Sequence, residues 1–364
     1  MNNKLAYLCG SKSWGGLEMN HIRNAAWMSK RGHDVVVIGL AKSPFHQAAS
    51  EQNLRFIPIR TYRKYFDRKG AFELLAILKR EAISHLLIRS NYDMSIAASV
   101  KRFLKEKLHT SYFIEMQLGV KKTGIHHRLR YRYIDLWSSP LNWLHDQVQE
   151  LTHFKNELVV IPSGLDLNEF ETQLTKSQAR EVLELSTNAF LLGLIGRFDQ
   201  KKGQLLLLNA LNKCTNNNVK IVLLGEPTRG EETNYFQEMT RFIEENELNS
   251  RVFIRNFRKD ISTFYRAVDW VVMASDAETF GMVTIESFAC GTPVLGSNSG
   301  GTPELLENEE GGTLFESGNS TDLARKIDQI SSSKQPSAER LVQIACKYNH
   351  NDVCLAVEKA LKLS

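Results

Sequence analysis

The feature that most constrains the fold is an alternation of short apolar runs with helical patterns, which continues through both halves of the chain. Residues 5–9 and 34–38 are typical of buried strands, and a helix is predicted between them over residues 17–30. Strands without polar alternation belong to parallel sheets that helices cover on both faces. Further strands are predicted at residues 55–59, 86–89, 111–114, 191–195, 219–224, 252–254, 270–273 and 293–295. The chain is therefore predicted to be α/β.

A chain of 364 residues is too long for one ordinary core, so two domains are expected. The turn Pro162-Ser163-Gly164 separates the two α/β blocks and predicts a boundary after residue 163. Two doubly wound domains predict a ligand cleft between them, at the carboxyl ends of the strands.

Bulk composition predicts an ordinary cytoplasmic protein. Hydrophobic residues make up 42% of the chain, and no apolar run reaches the roughly 18–20 residues that span a bilayer. The first ten residues lack the charged and apolar regions of a secretory signal. Five scattered cysteines without a CxxC pair indicate thiols in a reducing compartment.

Charge is divided unevenly between the halves. Residues 1–163 hold 25 Lys/Arg against 13 Asp/Glu, a net charge of +12, whereas the remaining residues have a net charge of −7. The basic runs 60–69, 101–107 and 121–132 are interleaved with or followed by aromatic residues, namely Tyr62, Tyr65, Phe66, Tyr131 and Tyr133. We expect this half to face an anionic membrane or acceptor, although charge alone also permits nucleic acid.

The stretch 278–304 holds the most informative residues. Gly281 follows a predicted strand and precedes a helix, so the amides of Gly281, Met282 and Val283 are predicted to hold a phosphate. Glu286, further along that helix, is suited to accept hydrogen bonds from ribose hydroxyls. Glu278, on the preceding loop, is suited to sugar hydroxyls.

A second cluster, Gly196 to Gly203, follows the strand predicted at residues 191–195. Arg197 leaves the strand end and Lys202 opens the next helix, so both are predicted to enter the cleft. An arginine and a lysine there neutralise a diphosphate, above all as it departs.

Several other kinds of site are disfavoured. Gly15-Gly16 after the first strand permits close approach of a phosphate or an acceptor, but it is not GxGxxG. The sequence has no GxxxxGK[ST], no HExxH, no metal-spaced His/Cys group and no DxD. We therefore expect neither a metal nor a cofactor.

The chain resembles glycosyltransferase family 4, retaining enzymes of GT-B fold, in which two Rossmann-like doubly wound domains face a central cleft. The matching residues span nearly the whole chain: Gly15-Gly16-Leu17-Glu18, Arg31-Gly32-His33-Asp34-Val35, the run from Pro162 to Phe170, Arg197, Lys202, Glu278, Phe280-Gly281, Glu286, Gly291-Thr292-Pro293-Val294 and Gly300-Gly301-Thr302-Pro303-Glu304.

The resemblance implies an acceptor domain over residues 1–163, a donor domain over 164–348, and a closing helix over 349–364 that returns to the first domain. It implies that Arg197 and Lys202 hold the donor diphosphate and that Glu286 holds the ribose. Glu278 contacts the transferred sugar, and backbone near Phe257-Arg258 receives the base. The implied donor site comprises Gly16, Arg197, Lys202, Phe257, Arg258, Glu278, Phe280, Gly281, Met282, Val283 and Glu286.

The chain departs from the family at one position. Members often carry a His after a first-domain strand, where this sequence reads Glu115-Met116-Gln117. Glu115 or Gln117 occupies that place. A carboxylate there binds an acceptor or donor hydroxyl, acts as a base, or simply caps the strand.

The expected activity is retaining, metal-independent transfer of a hexose, with UDP-hexose favoured as donor, to a hydroxyl of a glycan or glycolipid. Glu278, Arg197, Lys202 and Glu115 are the expected catalytic residues. Bacterial cell-surface glycan synthesis (lipopolysaccharide, capsule or exopolysaccharide) at the inner face of the cytoplasmic membrane is the expected setting. The alternatives are a nucleotide-sugar epimerase of GT-B fold and, ranked lower, a nucleic-acid-binding protein that uses the basic half.

Overall fold

A computed structural model describes residues 3–186, 188–227, 234–276, 278–307 and 309–363. The chain divides into two compact units, one made of residues 1–164 and 350–364 and the other of residues 165–349. Each unit contains one parallel sheet, so the predicted α/β class is confirmed.

The first unit contains a sheet of seven described strands in the order β3-β2-β1-β4-β5-β6-β7. The strands are β1 (Lys4–Cys9), β2 (Asp34–Leu40), β3 (Arg55–Ile59), β4 (His85–Ile88), β5 (His109–Phe113), β6 (Leu136–Ser139) and β7 (Glu157–Val160). The helices between them are α1 (Gly16–Lys30), α2 (Pro44–Glu51), α3 (Arg68–Arg80), α4 (Met94–Leu104), α5 (Ile125–Tyr131) and α6 (Asn142–Leu151).

The second unit has six described strands in the order β10-β9-β8-β11-β12-β13. They are β8 (Phe190–Ile195), β9 (Val219–Leu224), β10 (Val252–Arg255), β11 (Trp270–Met273), β12 (Val294–Ser297) and β13 (Gly312–Phe315). The accompanying helices are α7 (Lys176–Val182), α8 (Gln204–Lys213), α9 (Asn234–Glu245), α10 (Ile261–Ala267), α11 (Met282–Ala289), α12 (Thr302–Leu305), α13 (Ser320–Ser332) and α14 (Ala338–Cys346).

The last helix, α15 (His350–Leu361), belongs to the first unit. Its apolar side packs with α1 and α2 on one face of the first sheet, where Val353 and Val357 join a cluster containing Ile22 and Phe45. The opposite face is covered by α3, α4 and α6. Burial on both faces explains why a strand such as β2 is a nearly unbroken run of β-branched residues.

Strand order reverses direction at one place in each sheet, between β1 and β4 in the first and between β8 and β11 in the second. In doubly wound sheets, the loops at the carboxyl ends of two such strands diverge to opposite faces and leave a crevice for ligands. The loops after β8 and β11 carry Lys202 and Glu278, which places these predicted site residues at the crevice of the second unit.

Three strands of the structure are not predicted from the sequence, for physical reasons. β6 contains the buried Ser138 and Ser139, β7 is half exposed, and β13 begins with Gly312. The helix predicted after Gly281 begins at Met282. Across the described ranges, no helix is long and apolar enough to cross a membrane.

Candidate functional site

Lys202 and Glu278 form an ion pair at the crevice of the second unit. The Lys202 Nζ atom lies 2.9 Å from Glu278 Oε2, and their side chains are 32% and 22% exposed. The pair joins the loop after β8 to the loop after β11, the two strands that flank the reversal. A cation and a carboxylate are thus held side by side where a ligand can reach both.

Glycines bring the two loops together. Gly203 has a φ of +75°, in the left-handed region, and a side chain there would collide with Ala274 at the end of β11. Gly300 has a φ of +64°, and a side chain there would collide with the carbonyl oxygen of Glu278. The amide of Gly301 donates to that same carbonyl at 2.9 Å. The 300–301 turn therefore fixes the backbone of Glu278, and the lack of a side chain at Gly300 permits this close contact.

Gly281 begins α11 in the left-handed conformation, with a φ of +73°. The amides of Met282 and Val283 follow it in the first turn, where a helix provides no carbonyl partners for them. Both residues are half-buried. Such amides, with the positive end of the helix dipole, suit an anion. The start of α11 lies close to Glu278, because a Cβ atom at Gly281 would be 3.2 Å from Glu278 Cγ.

Glu286 lies on the buried face of α11 and is 6% exposed. Its Oε2 atom accepts a hydrogen bond of 2.6 Å from the hydroxyl of Tyr265 on α10. Burial and the neighbouring Glu286 carboxylate raise the pKa of Tyr265 well above its ordinary value, so this hydroxyl keeps its proton. Tyr265 therefore holds one oxygen of Glu286 in place. No sequence signal marked Tyr265, which lies on an ordinary helix.

The remaining predicted donor residues are spread more widely. Arg197 is 62% exposed at its side chain and lies 3.8 Å from Asp199. Phe280 is buried and packs edge-on against Tyr348. Phe257 and Arg258 follow β10, the edge strand, two strands away from β8.

These residues differ in how free they are to meet a ligand. Phe257 is 59% exposed, whereas the Arg258 guanidinium is bound to Asp260 at 2.6 Å. Phe280 supports the start of α11 from within the core and presents little surface of its own. Of the predicted donor set in this unit, the structure therefore brings Lys202, Glu278 and the start of α11 together most closely.

In the first unit, Glu115 lies just after β5 and is the hub of a buried polar cluster. It is ion-paired with Arg89, which follows the neighbouring strand β4. It also accepts hydrogen bonds from Ser163 Oγ at 3.0 Å and from Asn20 Nδ2 at 3.2 Å. Burial raises the pKa of Glu115, while Arg89, Ser163 and Asn20 oppose that rise by stabilising the carboxylate.

This cluster was only partly accessible to sequence reasoning. Arg89 could have been found, because it ends a predicted strand beside the strand that carries Glu115. Asn20 and Ser163 come from α1 and the turn after β7, and no pattern links them to Glu115. The arrangement holds the carboxylate still, which suits hydrogen bonding to a hydroxyl better than carrying a proton away.

Gly16 opens α1 and is exposed, and a side chain there would meet nothing within 4 Å. Packing in the unit therefore does not require glycine here, which leaves room for the predicted close approach of a ligand. Glu18, in the first turn of α1, lies beside Gly15 and is buried. Its carboxylate opposes a phosphate at this helix start and favours a ligand that carries hydroxyls.

Two aromatic residues of the basic runs are not on the surface. Tyr62 and Tyr131 are 2% and 3% exposed and belong to the core under α3, α4 and α6. The prediction that they line a surface contact is therefore wrong, because both rings fill space against the sheet. Tyr65 and Phe66 are exposed as predicted.

Part of the chain matches a known protein family. Residues 175–348 match the family model described as Glycosyl transferases group 1. A D-inositol 3-phosphate glycosyltransferase of Mycolicibacterium smegmatis is 27% identical over 214 residues, which cover 57% of this chain and 48% of that protein. The chain thus spans about half the length of this curated relative.

Two solved structures align with almost the whole chain. Anabaena Alr3699/HepE in complex with UDP has a TM-score of 0.85 at 23% identity, with 99% of each chain covered. A glycosyltransferase from Rickettsia africae has a TM-score of 0.86 at 19% identity, with 100% of each covered. Likeness at these identities shows the fold alone.

The two doubly wound units define the class of protein as an α/β chain of GT-B fold. Residues 175–348, most of its second unit, match the Glycosyl transferases group 1 model, and the predicted resemblance to glycosyltransferase family 4 is confirmed.

Proposed function

We propose that the chain is a retaining, metal-independent glycosyltransferase that moves a hexose from a nucleotide-diphosphate sugar to a hydroxyl of a glycan or glycolipid. The observation that carries the proposal is the Lys202–Glu278 pair beside the start of α11, at the strand reversal of the second sheet. A cation and free helix amides suit a diphosphate, while the adjacent carboxylate suits sugar hydroxyls. UDP-hexose is the favoured donor, and the UDP held by the Anabaena protein of similar fold supports that choice.

The proposed chemistry depends most on the leaving group. As the bond between the sugar and the phosphate breaks, negative charge grows on the diphosphate. Lys202, Arg197 and the amides at the start of α11 stabilise that charge more in the transition state than in the ground state. The acceptor hydroxyl attacks from the face that the diphosphate leaves, and the departing phosphate takes its proton.

The two carboxylates of the second unit have different proposed tasks. Glu278, paired with Lys202, contacts hydroxyls of the transferred sugar. Glu286, held by Tyr265, accepts hydrogen bonds from the ribose. The base is proposed to lie near Phe257 and Arg258, where Phe257 offers an exposed ring.

Glu115 is proposed to orient a substrate hydroxyl from the first unit. Its partners Arg89, Asn20 and Ser163 keep it in one position. Glu115→Gln keeps the size of the side chain but weakens the contact with Arg89 and with any hydroxyl. Transfer should fall by roughly tenfold or more, mainly in kcat, with donor affinity changed little. An unchanged kcat would leave Glu115 with a purely structural role.

The decisive experiment compares neighbouring lysines. Lys202→Ala should reduce sugar transfer by roughly a thousandfold, because it removes a cation from the leaving group. Lys201→Ala is the matched control, since Lys201 is exposed on the same turn. Transfer from UDP-glucose is followed by release of UDP, with a panel of glycan and glycolipid acceptors. Equal activity in both variants contradicts the assignment.

Product analysis separates this proposal from its nearest rival. A transferase needs an acceptor and yields a new glycoside, whose anomeric configuration shows whether the linkage was retained. An epimerase of the same fold interconverts nucleotide sugars without any acceptor. Full activity after treatment with a chelator is expected for the metal-independent mechanism.

The proposed setting is cell-surface glycan synthesis in bacteria, on the cytoplasmic face of the membrane. The excess of cations over carboxylates in residues 1–163 supports contact with an anionic membrane or an anionic glycolipid acceptor. The proposed partners are a nucleotide-sugar donor and a glycan or glycolipid acceptor. Nucleic acid is not a proposed partner.

A further inference from the structure

A stretch of the first unit exposes apolar side chains among cations. Residues 116–132, here the 116–132 segment, contain no Asp or Glu and five Lys or Arg. Four apolar side chains are half exposed or more: Met116 at 64%, Val120 at 62%, Ile125 at 68% and Leu129 at 50%. Single exposed apolar residues are ordinary, but four within fourteen positions of one segment indicate a surface that a partner covers.

Helix α5 shows how the segment is oriented. Ile125 and Leu129 are four residues apart, so they lie on one side of the helix, and both face solvent. Arg128 and Arg132 repeat at the same spacing and are exposed as well. The buried side of the helix carries Arg130 and Tyr131. The helix thus turns an aliphatic and cationic side outward.

The loop before α3 contacts α5. Arg130 lies over the ring of Tyr65, with 5.1 Å between guanidinium carbon and ring centroid. Phe66, which follows Tyr65 in the sequence, is 90% exposed and has a φ of +49°. A bulky residue in the left-handed region carries backbone strain, so this turn holds an aromatic ring in solvent at a cost in stability.

The chemistry of the surface selects its partner. A second copy of the chain would bring cations against cations, which costs free energy. Nucleic acid offers phosphates but no apolar region for four aliphatic side chains. An anionic bilayer offers phosphate headgroups to the arginines and lysines, and an apolar boundary to the aliphatic and aromatic side chains.

We propose that the 116–132 segment together with Tyr65 and Phe66 docks the chain on an anionic lipid bilayer. Ile125, Leu129 and Phe66 enter the headgroup boundary, while Arg128 and Arg132 contact lipid phosphates. The inference rests on the proposed function in that it names the surface for the proposed membrane contact. A surface beside the loop that follows Glu115 would deliver a lipid-linked acceptor to the first unit.

The test is sedimentation of the full chain with vesicles, without donor. Vesicles of phosphatidylcholine with phosphatidylglycerol should bind the chain, and vesicles of phosphatidylcholine alone should bind it much less. Binding should weaken as NaCl rises from about 0.05 M to about 0.5 M, because salt screens the charges. The double variant Ile125→Ser/Leu129→Ser should lower the partition coefficient by roughly tenfold, since it removes apolar surface that enters the bilayer.

Matched controls exist elsewhere on the chain. Val182→Ser/Leu355→Ser removes two apolar side chains that are 48% and 52% exposed, outside the patch. Lys30→Ser/Lys359→Ser removes two exposed cations, as Arg128→Ser/Arg132→Ser does within it. Only the patch variants should lose binding, and all four should keep the thermal midpoint of the parent chain.

Several results would overturn the proposal. Among them are equal binding to neutral vesicles, equal losses in the control variants, or patch variants that bind like the parent. Displacement by duplex DNA would instead identify a general polyanion site, and patch-dependent dimers in gel filtration would identify self-association. Lys202→Ala should bind vesicles as the parent does. If the parent chain binds vesicles yet transfers no sugar, only the proposed function is contradicted.

Discussion

At the scale of single residues, two buried carboxylates of the first unit differ in the partners that stabilise their charge. Glu115 has Arg89, Asn20 and Ser163 as partners. Asp93 accepts hydrogen bonds from the Gly10 amide and the Tyr62 hydroxyl through Oδ1, while its Oδ2 atom has no hydrogen-bond partner among the described residues. Burial without a cation raises the pKa of Asp93 to about 7.

This shift makes stability depend on pH in a defined direction. The ordinary Asp pKa is 3.8, so between pH about 4 and 7 the folded chain holds a proton that the unfolded chain has released. Asp93 therefore costs stability as pH rises through that window, by at most about 1.4 kcal/mol per pH unit. Asp93→Asn should remove this loss. The urea midpoint of the variant should therefore exceed that of the parent by more at pH 8 than at pH 5. Glu150→Gln, on the surface of α6, should show no such gain.

At the scale of elements, α15 is held to α1 by charge as well as by packing. Glu358 accepts hydrogen bonds from Arg31 Nε at 2.7 Å and from Arg31 Nη2 at 2.9 Å, and it contacts His33 Nε2 at 2.8 Å. These contacts, with the Arg31 hydrogen bonds first, lower the pKa of Glu358 to about 2. The terminal helix is thereby fastened at the turn that follows α1.

Because the folded pKa is depressed, the stabilisation is present above the ordinary pKa of 4.5 and is lost as pH falls towards 2. Glu358→Gln should therefore loosen α15 at neutral pH by roughly 1 kcal/mol, a value kept small by partial exposure of the pair. Hydrogen exchange of the α15 amides measures this directly. The difference from the parent should shrink in acid, and Lys359→Gln should leave exchange unchanged. A difference that is as large at pH 3 as at neutral pH contradicts the linkage.

The elements also show what sequence could and could not predict. Strands such as β9 and β11 are apolar runs bounded by turns, and their predicted ends agree with the structure. Gly281 marked the start of α11 in the sequence, because few residues other than glycine adopt the left-handed conformation found there. The Tyr265–Glu286 contact joins residues of separate helices, and the contacts of Asn20 and Ser163 with Glu115 cross long stretches of sequence. Local patterns carry no information on such pairs.

At the scale of the whole molecule, each sheet reverses its strand order once, and charged residues lie at or beside each reversal. In the first sheet, Arg89 follows β4 and Glu115 follows its neighbour β5. In the second, Lys202 and Glu278 meet across the reversal. The buried first cluster can contribute one fixed carboxylate, whereas the half-buried second pair can bind an anion and hydroxyls together. This difference supports our proposal that the donor binds to the second unit.

That assignment predicts which ligands stabilise the chain. UDP at about 100 times its dissociation constant should add about 2.7 kcal/mol to the unfolding free energy, because it binds the folded state alone. In a two-unit chain this appears as a thermal shift of a few degrees, and GDP, ADP and UMP at equal concentration should shift less. Lys202→Ala should lose most of the UDP shift while Lys201→Ala keeps it. If GDP gave the largest shift and it too required Lys202, the site would stand and the preference for uridine would fall.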